Sequence, residues 1–362
     1  MQNIYVHIPF CQKLCSYCTF SKIISSDEKI YKKYIEALKK EFTLRLQDGA
    51  KIKTLYFGGG TPSILSLEIM KDLFSFLYKK YDFSGCVEIC IECHPSTLSE
   101  EKVKGYQEIG ITRLSIGVQT FLKKFETFLS RPGDDIFRAL EVVKKHFHGD
   151  VSLDMIFGYP NQTEKDAQED LEKLLSYDFS HVSYYALDYK KNSLIEKQEA
   201  SRLPFEKVQR FYNNIFSAMK NQGWNQYEIY NFSKQNKKSL HNLAFWKGED
   251  YMGFGLSSVS CVGREVCENT KNIMHYIEGK YSDDIYTMNN ADYTELMIQR
   301  FFRLREGVSM AVLKDLLSEN NFMQLYENIK TIPSWVEEKD NTFVLTEEGV
   351  MNYDEVMGVI VL

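Results

Sequence analysis

The feature that most limits what this chain can fold into is an alternation of short β-rich runs with helix-length amphipathic stretches. The β-rich runs fall at 4–8, 54–57, 87–91, 113–118, 151–157 and 181–187. Between them lie charged, amphipathic stretches at 28–46, 67–81, 100–109, 135–147 and 164–175. Strands alternating with helices build βα units and hence a parallel sheet. Six such units within the first ~220 residues are too many for a small open sheet and suit a barrel or partial barrel. Local detail agrees: Tyr34, Ile35, Leu38, Phe42 and Leu46 recur at three-to-four spacing among lysines and glutamates, and Ser99 is placed to cap the third helix.

After Gly223 the rhythm breaks, and 227–263 is rich in Gly, Asn and aromatic residues. From about Asp292 the pattern is mainly helical and ends in TFVLTEEGV, read as a strand and turn. The chain is therefore expected to be α/β, with a partial (β/α)6 TIM-like barrel over 1–225. An irregular, aromatic-rich extension follows over 226–285, then a small, mainly helical, winged-helix-like domain over 286–362. With 44 Lys plus Arg against 50 Asp plus Glu, a net charge of −6 argues against nucleic-acid backbone binding. The longest uncharged stretch, 54–67, is 14 residues. A membrane span needs ~20 apolar residues, so none is expected. The opening MQNIYVHIPF lacks a basic leader and apolar core, the reading expected of a cytoplasmic protein.

Eight cysteines in such a chain point to metal or redox chemistry more than to disulfides. Cys11, Cys15 and Cys18 follow a strand and Pro9, so they lie on a loop at that strand's carboxyl end. Three thiolates on one short loop suit a [4Fe–4S] cluster with one iron left open. A structural zinc would want a fourth ligand, for which only His7 is near. Cys86, Cys90 and Cys93 repeat the spacing, but along a strand, where side chains alternate between faces and cannot converge. His7 and His94 read as packed or loop histidines, and Cys261 and Cys267 show no ligand spacing.

With these residues in view, YVHIPFCQKLCSYCTF resembles the opening of radical S-adenosylmethionine (SAM) proteins related to oxygen-independent coproporphyrinogen III oxidase. The resemblance implies that the open iron is chelated by the amino and carboxylate groups of SAM. One-electron reduction then cleaves SAM to a 5′-deoxyadenosyl radical. It further implies that Gly59, Gly60 and Thr61, in GGGTP, meet the SAM amino group. Glu92 in IECHP, Gln119 in RLSIGVQTF and Arg131 in FLSRP match the family's motifs by position. Asp154 joins them as a strand carboxylate, which is costly to bury unpaired and so points to a cationic, hydroxyl-bearing ligand. Tyr5 and Tyr17 are candidates for the adenine or the cluster edge.

Within this family, coproporphyrinogen oxidases carry a further cysteine two residues after the triad, where this chain has Phe20, and a longer N-terminal region. Both features resemble instead the HemW-type heme chaperones, as does His241-Asn242-Leu243-Ala244-Phe245-Trp246. That segment follows the chaperones' HNxxYW motif with Phe245 replacing tyrosine. Imidazole is a standard axial ligand for heme iron, so the resemblance implies heme bound by His241 and delivered to hemoproteins, respiratory enzymes at a membrane surface among them. Peripheral membrane contact is part of that expectation. The alternative is radical SAM decarboxylation of coproporphyrinogen III.

Overall fold

A computed structural model describes residues 1–131, 133, 135–189, 191, 193–197 and 202–361. Six parallel strands stand side by side in chain order: β1 (Gln2–Ile8), β2 (Ile52–Gly59), β3 (Glu88–Cys93), β4 (Arg113–Gln119), β5 (Asp150–Phe157) and β6 (His181–Ala186). Between them run α1 (Glu28–Arg45), α2 (Leu67–Lys80), α3 (Glu100–Glu108), α4 (Ile136–His146) and α5 (Glu164–Leu175), and α6 (Phe205–Asn221) follows β6. Helix entries are set by side chains that accept orphan amide protons: Asp27, Ser66, Ser99 and a Thr163–Asp166 capping box.

Strand alternation separates two environments. Leu55, Phe57, Ile91, Leu114, Ile116, Leu153 and Val182 are fully buried in the apolar layer shared with the helices. The alternate residues Tyr56, Glu92, Ser115, Asp154, Ser183 and Tyr185 line the concave interior. The barrel is partial because both edges of the parallel set are extended rather than joined.

The segment expected to be irregular is in fact part of this sheet. It contains β7 (Asn225–Gln226), β8 (Asn231–Ser233), α7 (Leu240–Trp246), β9 (Tyr251–Phe254), β10 (Val259–Val262), β11 (Glu265–Asn269), α8 (Ile273–Ile277) and β12 (Ser282–Thr287). β9 pairs parallel to β1, and β10, β11 and β12 add antiparallel beyond it, while β8 and β7 add antiparallel beyond β6. The expected boundaries at 225/226 and 285/286 both fall inside strands. Strands of two to six residues punctuated by glycine carry too little alternation to register as strands. The C-terminal part has three antiparallel strands, β13 (Val308–Ser309), β14 (Val336–Lys339) and β15 (Thr342–Leu345), in the order β13-β15-β14. They pack with α9 (Asn290–Phe302), α10 (Met310–Leu316), α11 (Glu319–Lys330), α12 (Glu347–Met351) and α13 (Tyr353–Ile360). The expected turn after TFVL is thus the helix α12.

One buried carboxylate fastens the β9–β12 extension to the barrel. Glu41 of α1 is fully buried, and its oxygens accept from Arg45 Nη1 (2.6 Å), Asn269 Nδ2 (2.7 Å), Gly255 N (2.9 Å) and Tyr276 hydroxyl (2.6 Å). Replacing Glu41 by Ala strands the Gly255 amide and the Tyr276 hydroxyl and leaves Arg45 with neutral acceptors only. The expected loss is about 3–5 kcal/mol, read as a lowered urea midpoint, with Glu41→Gln losing less.

Candidate functional site

The carboxyl ends of the parallel strands open on a cavity of about 760 Å³. Cys11, Cys15 and Cys18 line it, on the loop between the short paired strands Phe10–Cys11 and Ile23–Ile24. The Cys18 amide closes a turn on the Cys15 carbonyl at 3.2 Å. Thr61 Oγ1 lies 3.6 Å from Cys11 Sγ, and Arg131 Nη1 lies 3.7 Å from Cys15 Sγ. Lys22 reaches the Cys18 carbonyl at 2.6 Å, so two cations flank the thiols. Burial raises the Cys11 thiol, while the Thr61 hydroxyl and the Lys22 charge oppose that rise. Gly60 is tightly fitted here: a Cβ would stand 2.7 Å from the Phe10 carbonyl and 3.0 Å from Cys11 Sγ.

Gly59, Gly60, Thr61, Glu92, Gln119, Arg131, Asp154 and Tyr17 all line the same cavity. Glu92 Oε1 accepts from the Tyr56 hydroxyl at 2.9 Å, and Oε2 accepts from the Gly59 amide at 3.1 Å. Burial pushes the Glu92 carboxyl up to about 7, with nearby Asp154 adding to the rise and the two donors opposing it. Arg131 Nη2 donates to the Gly117 carbonyl at 2.5 Å, and Nη1 lies 3.5 Å from the Tyr17 hydroxyl. Gly117 has no room for a side chain, because a Cβ would meet Arg131 Nη2 at 2.7 Å and Gln119 Nε2 at 2.8 Å. Asp154 sits deeper, where Ser115 donates to both its oxygens (3.0 and 2.9 Å) and Ser152 donates to Oδ1 at 3.3 Å.

Two sequence expectations change. Tyr5 is not on the cavity wall. Its hydroxyl bonds His7 Nδ1 at 3.1 Å, its ring stacks on Tyr56 at 6.1 Å, and it fills the space behind Gly58. Tyr56, one strand over, lines the cavity instead. His241 is likewise not an open ligand. It is 8% exposed, stacks on Tyr56 at 5.1 Å, and shares a 2.7 Å hydrogen bond between Nδ1 and Thr54 Oγ1. Burial lowers its imidazole to about 4, which keeps it neutral.

The helix turns Asn242 and Trp246, one turn apart, onto the cavity wall. Its N-terminus is docked at the barrel floor, where Glu88 accepts from the amides of Leu240 (3.0 Å) and His241 (2.9 Å) and from Arg113 Nε (2.7 Å). Of the other histidines, His7 is packed, with Nε2 2.8 Å from the Ser21 carbonyl. His94 caps the turn Pro95–Thr97 and is held down to about 3 by burial and the Arg131 charge.

Sequence reasoning missed Tyr56, Ser115, Glu88 and Arg113. Their only signal is their alternate position on β2, β3 and β4. In the second triad, Cys86 precedes β3, while Cys90 and Cys93 both reach the cavity, Cys93 also packing against the apolar core.

Residues 5–174 match the radical SAM superfamily. The heme chaperone HemW of Bacillus subtilis is 34% identical over 287 residues, covering 77% of this chain and 76% of that protein. The heme chaperone HemW of Buchnera aphidicola (strain APS) is 32% identical over 84% of both chains. Among solved structures, coproporphyrinogen III oxidase (HemN) from Escherichia coli, a radical SAM enzyme, superposes with a TM-score of 0.87 at 21% identity. That superposition covers 99% of this chain and 90% of that one, and it shows the fold. Sequence identity carried across most of both proteins, on a shared barrel, settles the family: this chain belongs to the radical SAM superfamily, in the HemW branch related to oxygen-independent coproporphyrinogen III oxidase.

Proposed function

We propose that this protein binds heme and passes it to hemoproteins, with a [4Fe–4S] cluster and SAM held in the barrel. The observation that carries this reading over coproporphyrinogen oxidation is Phe20. Where the oxidases have a further cysteine, an apolar ring stands 63% exposed at the mouth of the cavity. It offers no thiol to the chemistry below it and presents a flat face to an apolar ligand.

The residues at the mouth fit the cluster. Cys11, Cys15 and Cys18 share one wall, Gly60 lets the backbone pack closely against Cys11 where any side chain would crowd the thiol, and Lys22 and Arg131 supply positive charge to thiolates. Among the described residues, no three His, Cys, Asp or Glu side chains are arranged to hold a single metal ion. Three cysteines without a fourth ligand suit thiolates each bonding its own iron, with one iron left open, rather than a closed zinc site. When bound, the cluster supplies one electron to SAM. In this reading Glu92 and the Gly59, Gly60 and Thr61 segment take the SAM amino group, and Arg131 takes its carboxylate. Gln119 and Tyr17 border the adenosine. Asp154, tied to its serines, would offer a carboxylate to the cationic, hydroxyl-bearing part of SAM. Anaerobic reconstitution is expected to give about four irons and four sulfides per chain, and Cys15→Ala to lose most of both.

Glu92 makes SAM affinity pH-dependent. Its carboxyl, raised to about 7, is largely neutral below that pH and charged above it, and the charged form is the stronger acceptor for the N–H groups of a SAM amine that would be bound to iron. Affinity should therefore rise about tenfold between about pH 6 and 8. Glu92→Gln should bind weakly with a flat profile, as measured by equilibrium titration.

We assign the heme iron to His241 in a conformation in which α7 has left the floor, because the docked ring is buried. Heme titration should show stoichiometric binding that weakens sharply in His241→Ala. Glu88→Gln, which loosens the docked helix end, should speed heme uptake in stopped-flow absorbance. An absorbance spectrum indifferent to His241 would overturn the ligand assignment.

A further inference from the structure

The end of β4 carries a strained backbone. Opposite β5 the register runs Gly117 to Asp154 and then Gln119 to Met155, so Val118 is an extra residue and the strand bulges. Gln119 has a φ of +68° although it has a side chain, and the Thr120 amide donates back to the Val118 carbonyl at 2.9 Å. Together these make a γ-turn of positive φ, the rarer and more strained kind. Such a conformation persists only where its surroundings over-determine it, and it clusters at ligand clamps.

The surroundings here come from outside the cavity. Asp170 of α5 is completely buried; it accepts from Thr120 Oγ1 and from the Phe121 amide, each at 2.7 Å. Thr120 Oγ1 in turn accepts from the Leu122 amide at 3.0 Å. The Tyr159 hydroxyl, also completely buried, donates to the Gln119 carbonyl at 3.0 Å, and the Tyr159 ring stacks on Phe125 at 4.8 Å. Three hydrogen bonds thus grip Gln119 and the two residues after it. Meanwhile the Gln119 side chain lines the cavity over the bare face of Gly117, beside Arg131.

We propose that Asp170 and Tyr159 are positioning residues: they hold the γ-turn in its strained form so that Gln119 presents its amide to SAM. This rests on the reading that SAM occupies the cavity. The clamp acts through Gln119 and touches no ligand itself. Its purpose is preorganisation, since a relaxed turn swings the amide away and leaves the pocket one hydrogen-bonding group short.

The test is a double-mutant cycle on the full-length, cluster-reconstituted protein, with SAM affinity measured by titration calorimetry and stability by thermal unfolding. If the clamped conformer falls to about a tenth of the population, the apparent Kd rises about tenfold. Asp170→Asn is expected to lose about that much, and Tyr159→Phe, the milder change, a few-fold. Gln119→Gly should weaken SAM binding while raising the unfolding temperature, because glycine adopts positive φ freely. Asp170→Asn added to Gln119→Gly should cost little further affinity. Tyr159→Phe keeps the test usable if Asp170→Asn folds poorly.

The proposal is overturned if both clamp variants bind SAM like the parent, or if the Asp170 and Gln119 effects simply add. It is equally overturned if Gln119→Gly lowers stability, since the turn would then not be strained. Failure of the parent protein to bind SAM would instead sink the reading of the site itself.

Discussion

The interior of this barrel depends on a buried ion pair at its floor. Glu88 and Arg113 are each 3% exposed and stand at the starts of β3 and β4. Taking both charges out of water costs several kcal/mol by rough estimate, and their mutual attraction offsets this only if the remaining hydrogen-bonding capacity is used. Most of it is used: the carboxylate takes the first amides of α7, and Arg113 Nη2 donates to the carbonyls of Lys237 (3.1 Å) and Lys238 (2.7 Å) just before that helix, while Nη1 is left without a partner among the described residues. The pair therefore does more than join two strands. It draws a distant segment under the barrel and closes the end opposite the cysteines.

From that floor upward the interior is polar, and its two carboxylates draw hydrogen bonds from neighbouring strands. Asp154 draws on Ser115 across the β4–β5 pair, and Glu92 draws on Tyr56 and Gly59 across β2–β3. Hydrogen bonds across the sheet let the strands present charge to a cavity while their other faces bury aliphatic side chains. A packed apolar interior would give a more stable barrel and no place for a cofactor.

The sequence exposed the six strands to within two residues at either end, and the five intervening helices to within one. Each combines strong periodicity with clear breakers or caps. The cysteine loop was legible because a strand and a proline fix where it lies. The β7–β12 extension was not, because its strands are short and paired antiparallel across distant sequence. Tyr5 and Tyr56 illustrate the remaining limit. Both are aromatic, both project inward, and they stack on one another; which of them borders the cavity is decided by the glycine at position 58, whose missing side chain lets Tyr5 settle behind it. Glu88 and Arg113 read as two ordinary charges at strand ends until the helix arrives from some 130 residues away.

The seven-residue helix α7 has a further meaning. What reads along the chain as one motif is, in space, two pairs of residues one turn apart on adjacent faces, joined by an edge contact between the Phe245 and Trp246 rings at 4.7 Å. Asn242 and Trp246 belong to the cavity, and Arg303 lies over the Trp246 ring at 4.2 Å. His241 lies against Tyr56, while Phe245 packs beside Tyr251 under the Arg300 guanidinium at 4.2 Å. Phe245 is therefore masonry of the helix–sheet seam. The seam and the cavity wall meet in that ring contact, so the size and polarity of the side chain at position 245 reach the wall through the Trp246 indole.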